Sequence, residues 1–287
     1  MFTDQPVTPA RVETLLNLMR EFSDRKITRE ILYDLLQPEG LPDHNPGKDQ
    51  AKNAVSAVLE LGLVEEGVDK KLKTTFKTND KRDSRRILLD TLDEKVLGNT
   101  DIEPYFALFY SYLLALNFEG AKDQTADDWV FNFQSRVFGD ERPSNPFNKA
   151  KLTGLNRWLA FAGLGWYDMS GVFQPNPYER LLRRLPVIFQ KDKKLTSEVF
   201  MERLAEQCPE LDGGRIFLQT FREQSYDASA KTCTLGLSHA LVDLHQDKKI
   251  KLICPQDSRG WSIKLADPPS GDGLDSDRID SIEFLEN

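Results

Sequence analysis

Amphipathic helical segments, each followed by glycine or proline and a short extended run, recur along the chain. Thr8 and Pro9 favour a helix start, because threonine caps the first turn and proline tolerates a position whose N–H has no partner inside the helix. Two further helices are predicted, from Thr28 to Leu36 and from Lys48 to Leu61. The first helix has apolar residues at helical spacing, at Val12, Leu15, Leu16, Met19 and Phe22.

Gly62 ends the third predicted helix. The run LVEEGVDKKLKTTF that follows is typical of two short strands with a turn at or just after Glu66-Gly67. Three helices and a two-stranded hairpin, in this order, are the elements of a winged helix-turn-helix. A generic helical domain with a surface hairpin is the alternative. The sequence places this N-terminal winged-helix domain at residues 1–80.

The pattern of helix, glycine and hairpin returns twice. Residues 81–177 are predicted to be a central helical region that ends in a partial copy, where a helix through Trp158 stops at Gly163 and a hairpin reaches Phe173. Residues 178–267 supply three more helices and, in KIKLICPQDSRGWSIKL, a predicted hairpin with its turn near 257–260. That hairpin has Ile250, Leu252, Ile263 and Leu265 on its core face.

The expected fold class is therefore mainly α with small β-hairpins (α+β), with tandem winged-helix units flanking a helical middle region. Aromatic residues in the middle region have the spacing of core positions, and stacking on nucleic-acid bases is the alternative. These residues are Trp129, Phe131, Phe133, Trp158, Phe161 and Trp166.

Composition is typical of a globular cytoplasmic protein. The chain has 287 residues, of which 39% are hydrophobic and 29% charged. Its cysteines, Cys208, Cys233 and Cys254, are odd in number and form no C-x-x-C pair, which disfavours disulfides and a zinc site. The N-terminus has no secretion signal. The longest apolar run, residues 105–118, is shorter than the roughly 20 residues that span a bilayer. We expect no membrane partner.

The net charge of −8 is unevenly distributed. Residues 267–287 hold seven acidic residues and one arginine, which leaves the rest of the chain with a net charge of only −2. In contrast, residues 70–86 hold eight basic and two acidic residues. Along a wing and the linker after it, such side chains suit a phosphate backbone, where released counterions drive binding. A solvated linker is the alternative. The basic residues are Lys70, Lys71, Lys73, Lys77, Lys81, Arg82, Arg85 and Arg86.

The predicted third helix offers a weaker DNA-reading surface. A helix in the major groove usually presents Arg, Asn, Gln or Ser to base edges. Here the candidates for nucleic-acid binding are Lys48, Lys52 and Asn53, without an arginine. We therefore expect weak, largely non-specific contact with duplex DNA. A protein-docking role for the same helix is equally compatible with these residues.

Catalytic chemistry is poorly represented. The three histidines are His44 in a loop and His239 and His245 on a predicted helix, six residues apart and so on different faces. The Gly47-Lys48 pair lacks the spacing and the following Ser or Thr of a phosphate loop. We predict that the protein is not an enzyme and uses no cofactor or metal. The alternative, an enzyme without a recognisable catalytic motif, would require a bound metal or nucleotide.

The acidic C-terminus, residues 268–287, is predicted to be a disordered tail, because its prolines, glycines and acids oppose packing. Its apolar residues suggest that it binds a partner or folds back on the basic wing. A solvated tail without a role is the alternative. The candidate partner-binding residues are Ile279, Ile282, Phe284 and Leu285.

Residues 156–189, NRWLAFAGLGWYDMSGVFQPNPYERLLRRLPVIF, resemble a segment of the DpdG proteins. The resemblance rests on Trp158, the turn at residues 163–166, the extended QPNP and the ending Leu185-Pro186-x-Ile188-Phe189. It implies a component of a bacterial system that inserts 7-deazaguanine bases into DNA and restricts unmodified DNA. Such a component has no assigned reaction, and its partners would be a helicase, ATPase or nuclease on other chains. The resemblance assigns no active-site residue to this chain.

Together these observations predict a non-catalytic DNA-binding or scaffolding subunit of a phage-defence (modification–restriction) complex. A winged-helix transcriptional regulator of a defence operon is the alternative. A regulator would dimerise and protect one operator, whereas a subunit would co-purify with the products of neighbouring genes.

Overall fold

The computed structural model describes residues 7–22, 27–40, 48–77, 80–98, 102–116, 124–141, 143–221, 230–264 and 276–285. The first half contains α1 (Pro9–Glu21), α2 (Arg29–Leu36), α3 (Asp49–Glu60), β1 (Val64–Glu66), β2 (Leu72–Thr74), α4 (Ser84–Thr91), a π-helical continuation (Leu92–Leu97), α5 (Pro104–Ala115), α6 (Ala126–Phe138) and α7 (Lys149–Phe161). The second half contains β3 (Gly165–Tyr167), β4 (Phe173–Pro175), α8 (Tyr178–Phe189), β5 (Lys194–Thr196), α9 (Ser197–Gln207), α10 (Arg215–Gln219), α11 (Leu235–Gln246), β6 (Ile250–Ile253), β7 (Trp261–Ser262), β8 (Arg278–Ile279) and β9 (Ser281–Phe284).

Helices dominate these elements, and the strands form small antiparallel sheets. The predicted α+β class is confirmed. Internal contacts divide the chain into two compact units: unit 1 comprises Met1–Tyr105 and Phe147–Phe161, and unit 2 comprises Phe106–Pro146 and Ala162–Asn287. No helix in the described parts of the chain is both long and apolar enough to cross a membrane.

Caps and apolar spacing explain the helices of unit 1. Thr8 caps α1 by accepting a hydrogen bond from the N–H of Arg11, and Pro9 is the first helical residue, as predicted. The side chains of the apolar face of α1 are buried. Trp158 on α7 is also buried and donates from Nε1 to the carbonyl of Val7 at 2.8 Å. This bond satisfies the polar end of the largest side chain in the core.

Unit 1 begins with three helices and a hairpin. The strands β1 and β2 pair antiparallel, with Glu65 opposite Lys73. The N–H of Leu72 donates to the carbonyl of Ile27 at 2.8 Å, which ties β2 to the extended backbone just before α2. Leu72 and Ile27 are both buried, which anchors the hairpin to the helices.

The recurring glycine has the same conformation at both positions. Gly62 after α3 has φ +64°, and Gly163 after α7 has φ +69°. An L side chain rarely adopts this left-handed conformation, so glycine allows the chain to leave the helix and enter a strand. At Gly163 a Cβ would also lie 2.9 Å from the Cβ and Cγ of Glu179, which is too close.

The sheet of unit 2 differs from the predicted C-terminal hairpin. Its strand order is β5-β9-β6, and both pairings are antiparallel. The strand β6 therefore pairs with β9, and β7 pairs with β8. The prediction that KIKLICPQDSRGWSIKL forms one hairpin is wrong, because β9 takes the position beside β6. Ile250, Leu252 and Ile263 are nevertheless buried as predicted, and Leu265 lies outside the described residues.

The prediction of a disordered acidic tail is wrong for residues 276–285, which include β8 and β9. Residues 268–275, 286 and 287 lie outside the described residues. In the sheet, Ile282 lies between Leu195 on β5 and Leu252 on β6, and all three are buried. The adjacent Glu283 lies opposite Lys194 and Lys251, so its charge faces two cations.

The candidate partner-binding residues of the tail are thus part of the fold. Ile279 and Ile282 are each 1% exposed. The ring of Phe284 stacks on Phe189 with centroids 5.2 Å apart, and the N–H of Leu285 donates to the carbonyl of Lys249. The segment folds back on its own chain as a strand, and its apolar residues pack within unit 2.

Candidate nucleic-acid interface

The β1–β2 hairpin displays part of the basic run on its surface. The turn spans Gly67 to Lys71, and the N–H of Gly67 donates to the carbonyl of Lys71 at 2.8 Å. Lys70 within the turn has φ +58°. Lys70, Lys73 and Lys77 are exposed, whereas Leu72 points into the core. The alternation of the strand therefore directs the lysine of β2 toward solvent.

Carboxylates on the same hairpin offset much of its positive charge. Asp69 forms an ion pair with Lys71, which lowers the pKa of the Asp69 carboxyl. Glu66 receives two hydrogen bonds from the guanidinium of Arg29, at 2.8 and 3.0 Å, and these lower its pKa. Glu65 lies opposite Lys73. These acids precede residue 70, so the charge of the basic run alone overstates the charge of the hairpin.

The arginines of the linker are held by local acids. Arg82 forms ion pairs with Asp80 at 2.6 Å and Asp90 at 2.9 Å, and its hydrogen bonds lower the pKa of Asp80 to about 2. Arg86 lies 3.0 Å from the same Asp90. The guanidinium of Arg85 lies over the ring of Phe161, 5.0 Å from its centroid. These contacts organise the start of α4 and leave these arginines less available to a phosphate.

The helix α3 exposes Lys52, and Asn53 is half-buried beside it. Lys48 does not lie in the helix. It is the residue before α3, in a left-handed conformation with φ 52°, and it forms an ion pair with Asp34. Asp49 and Glu60 are also exposed on α3, so the outer surface of this helix has mixed charge.

The structure therefore divides the basic residues that were predicted to bind nucleic acid into two groups. Lys48, Lys71, Arg82 and Arg86 are ion-paired, and Arg85 is stacked on an aromatic ring. The second group consists of the lysines for which the described part of the chain shows no ion pair. These are Lys52, Lys70, Lys73, Lys77 and Lys81.

A family model described as DpdG-like matches residues 2–258. The chain belongs to the DpdG-like family. The resemblance carried by residues 156–189 is confirmed and extends over most of the sequence. Membership suggests a role in the Dpd modification system. No curated protein and no solved structure matches the chain.

The DpdG-like chain also has a cavity of about 570 Å³ in unit 2, next to Arg136. The guanidinium of Arg136 lies 5.1 Å from the ring centroid of Phe221, its Nε donates to the carbonyl of Thr220, and burial lowers its pKa. The described lining includes the acids Asp140 and Glu141 but neither histidine nor cysteine. Within the described residues, no group of three or more His, Cys, Asp or Glu could hold a metal ion.

Proposed function

We propose that this DpdG-like protein is a non-catalytic DNA-binding and scaffolding subunit of a DNA modification–restriction complex. Its N-terminal winged helix contacts the backbone of duplex DNA. The observation that carries this proposal is the arrangement of unit 1. There α1, the extended backbone at Ile27, α2, α3, β1 and β2 follow in the winged-helix order, and Leu72 on β2 donates a backbone hydrogen bond to Ile27.

The strand order of unit 2 is consistent with a second winged helix. In a winged helix, the last strand lies between the other two, and the sheet order β5-β9-β6 has this form around α8, α9 and α11. Both units depart from a tight helix-turn-helix, whose turn has about three or four residues. In unit 1, residues 37–48 separate α2 from α3, and in unit 2 α10 lies between α9 and α11.

The electrostatics favour contact with phosphates over reading of bases. The lysines without an ion pair in the described residues include Lys70, Lys73 and Lys77, on the hairpin and just after it. Lysine acts on phosphate as a point charge and releases counterions. The exposed acids Asp49 and Glu60 on α3 oppose close approach to a phosphate backbone by that helix. The proposed contact is therefore weak and largely independent of sequence.

In the scaffolding role, the chain holds DNA through its hairpin and also holds the other subunits of the complex. In this proposal the helicase, ATPase or nuclease activity belongs to other subunits. The protein itself neither cuts DNA nor hydrolyses nucleotides.

Co-expression of the chain with the products of its neighbouring genes, followed by pull-down and DNA footprinting, tests the proposal. We expect a stable complex that binds duplexes of different sequence with similar affinity. A dimer that protects a single operator and binds no neighbouring product would contradict the subunit role and favour a transcriptional regulator. Nucleotide hydrolysis by the repurified chain, abolished by a point substitution, would contradict the non-catalytic role.

A further inference from the structure

The β3–β4 hairpin of unit 2 exposes apolar side chains, among them Trp166, whose spacing predicts a core position. Trp166 is 51% exposed and Tyr167 44%, and Met169 at the tip is fully exposed. Phe173 and Pro175 on β4 are buried, so the hairpin packs on the core through β4 and exposes apolar side chains on β3 and at its tip. Adjacent exposed apolar side chains of this size mark interaction surfaces.

This hairpin is also held in one conformation. The carboxylate of Asp168 accepts hydrogen bonds from the N–H and hydroxyl of Ser170, from the N–H of Val172 and from the side-chain amide of Gln174. These bonds lower the pKa of Asp168 to about 2, so the carboxylate stays charged and the turn stays fixed. A rigid hairpin presents its side chains to a partner with little ordering cost.

Beside the hairpin lies a cavity of about 420 Å³ that combines aromatic and acidic groups. Trp166 and Tyr178 contribute aromatic rings, and Glu179, Asp243 and Asp247 contribute carboxylates. Lysine and arginine are absent from its lining among the described residues. The cavity is therefore acidic and has an exposed indole at its edge.

The carboxylates of this cavity are held mainly by neutral groups. Asp243 accepts a hydrogen bond from the side-chain amide of Asn176 at 3.2 Å, and Asp247 accepts one from the hydroxyl of Tyr178 at 2.6 Å. Neither aspartate has an ion pair with a described residue. Glu179 lies 4.0 Å from Arg183, so its charge is partly offset. Burial and the bond to Asp247 raise the pKa of Tyr178 to about 12, which keeps this hydroxyl protonated as a donor.

We propose that the β3–β4 hairpin and this cavity form a docking site for a basic segment of a partner protein. An arginine or lysine of the segment enters the cavity between Asp243 and Asp247, and its aliphatic part packs on Trp166. A cation is attracted to an indole face and to carboxylates. Asp243 and Asp247 have no cation partner in the described chain, which favours this occupant. The same carboxylates repel phosphate, which excludes nucleic acid as the occupant.

The inference extends the scaffolding part of the proposed function and rests on it for the choice of a protein partner. It also gives the two hairpins different roles. The β1–β2 hairpin presents lysines and suits DNA, whereas the β3–β4 hairpin presents apolar residues beside acids and suits a basic protein segment.

The site can be tested on the full chain labelled with 5-fluorotryptophan, with the resonance of Trp166 identified from the Trp166→Phe variant. The probes are the blocked tripeptides acetyl-Gly-Arg-Gly-amide, acetyl-Gly-Gln-Gly-amide and acetyl-Gly-Glu-Gly-amide. We expect the arginine peptide to shift the Trp166 resonance with millimolar affinity, and the other two to leave it in place. Equal shifts from all three peptides, or no shift from the arginine peptide, would overturn the proposal.

A double variant, Asp243→Asn with Asp247→Asn, removes the charges and keeps oxygen acceptors for Asn176 and Tyr178. We expect it to weaken binding of the arginine peptide about tenfold, because both carboxylates that attract the guanidinium lose their charge. The matched control neutralises two exposed acids outside the cavity, by Glu202→Gln and Asp257→Asn, and should change nothing. Unchanged affinity in the first double variant, with its melting temperature preserved, would contradict the site.

The same titration in a Lys70→Glu, Lys73→Glu and Lys77→Glu background separates this inference from the DNA-binding proposal. The peptide should still bind there. Loss of DNA binding with retained peptide binding supports two independent surfaces, whereas loss of both would refute their independence.

Discussion

Replacement of Asp212 by asparagine should remove a pH-dependent loss of stability from unit 2. Asp212 is 1% exposed, and its carboxylate accepts hydrogen bonds from the N–H and the hydroxyl of Thr234, at 2.6 and 2.9 Å. Thr234 in turn caps α11 by accepting a bond from the N–H of Leu237. Burial raises the pKa of Asp212 from 3.8 to about 6, in spite of these bonds. The folded protein therefore holds this proton more tightly than the unfolded chain.

The sign and size of the effect follow from that difference. Asp212 contributes stability below about pH 4, where both states are protonated, and this contribution is lost as the pH rises through about 6. A shift of about two pKa units corresponds to about 3 kcal/mol. The Asp212→Asn variant does not titrate, and its side-chain carbonyl can still accept from the N–H of Thr234. Relative to this variant, the native protein should lose about 3 kcal/mol of unfolding free energy between pH 4 and pH 7.

Urea unfolding at pH 4, 5, 6 and 7, followed by far-UV circular dichroism, measures this difference. The difference between the native protein and the variant isolates Asp212 from other titrating groups. Asp257→Asn, at an exposed position, serves as the control and should show a constant difference. A difference between native and Asp212→Asn proteins that is independent of pH, or that favours the native protein as the pH rises, would refute the assignment.

Three further predictions follow from packing and from the proposed role. Truncation after Ala266 removes β8 and β9 and exposes Leu195 and Leu252, so the melting transition of unit 2 should be lost. Removal of residues 286 and 287 alone should leave this transition unchanged. Trp158→Phe should lower the unfolding free energy by about 1–3 kcal/mol, because the carbonyl of Val7 loses its buried donor; an unchanged value in calorimetry would argue against that bond. The repurified chain with Mg²⁺ should show no DNA cleavage or nucleotide hydrolysis, and activity that survives repurification but is lost on a point substitution would contradict this expectation.

Local signals in the sequence predicted the helices well. Thr8 caps α1, and Thr125 and Asp128 form a reciprocal capping box at the start of α6. These signals involve residues three or four apart, so they can be read directly. The glycines after α3 and α7 likewise marked the start of each hairpin.

Long-range pairing explains what the sequence could not predict. Residues 278–284 have the composition of a solvated tail. Their second strand, β9, pairs with β5 and β6, which are distant along the chain. The sequence around Ile282 does not mark it as a core residue, because its packing partners Leu195 and Leu252 are distant along the chain. The strand β5 was missed for the same reason, because its partner β9 is distant along the chain and no hairpin turn joins the two.

The sequence overstates the positive charge of the candidate interface. The formal charge of residues 70–86 ignores Glu65, Glu66 and Asp69, which lie on the same hairpin. The ion pair between Asp34 and Lys48 joins residues on either side of a loop, so sequence spacing does not reveal it. Exposed apolar residues on the β3–β4 hairpin were missed for a related reason. Trp166 has an aromatic side chain typical of a core position, and only the fold shows that it faces solvent.

The central claim is that the β1–β2 hairpin contacts the phosphate backbone of DNA. Fluorescence anisotropy of a labelled duplex at several salt concentrations tests it, with the native chain and a variant in which Lys70, Lys73 and Lys77 are replaced by glutamate. A second variant of equal charge change, with its exposed substitutions in unit 2, is the control. Its substitutions are Lys191→Glu, Lys193→Glu and Arg259→Glu.

The slope of log K against log salt reports the number of phosphates neutralised, at about 0.9 per contact. We predict that the hairpin variant loses most of its affinity and that its slope falls by about three, whereas the control variant keeps the native slope. Equal losses in the two variants would show a general effect of net charge. An unchanged slope in the hairpin variant would contradict the claim that this hairpin contacts DNA.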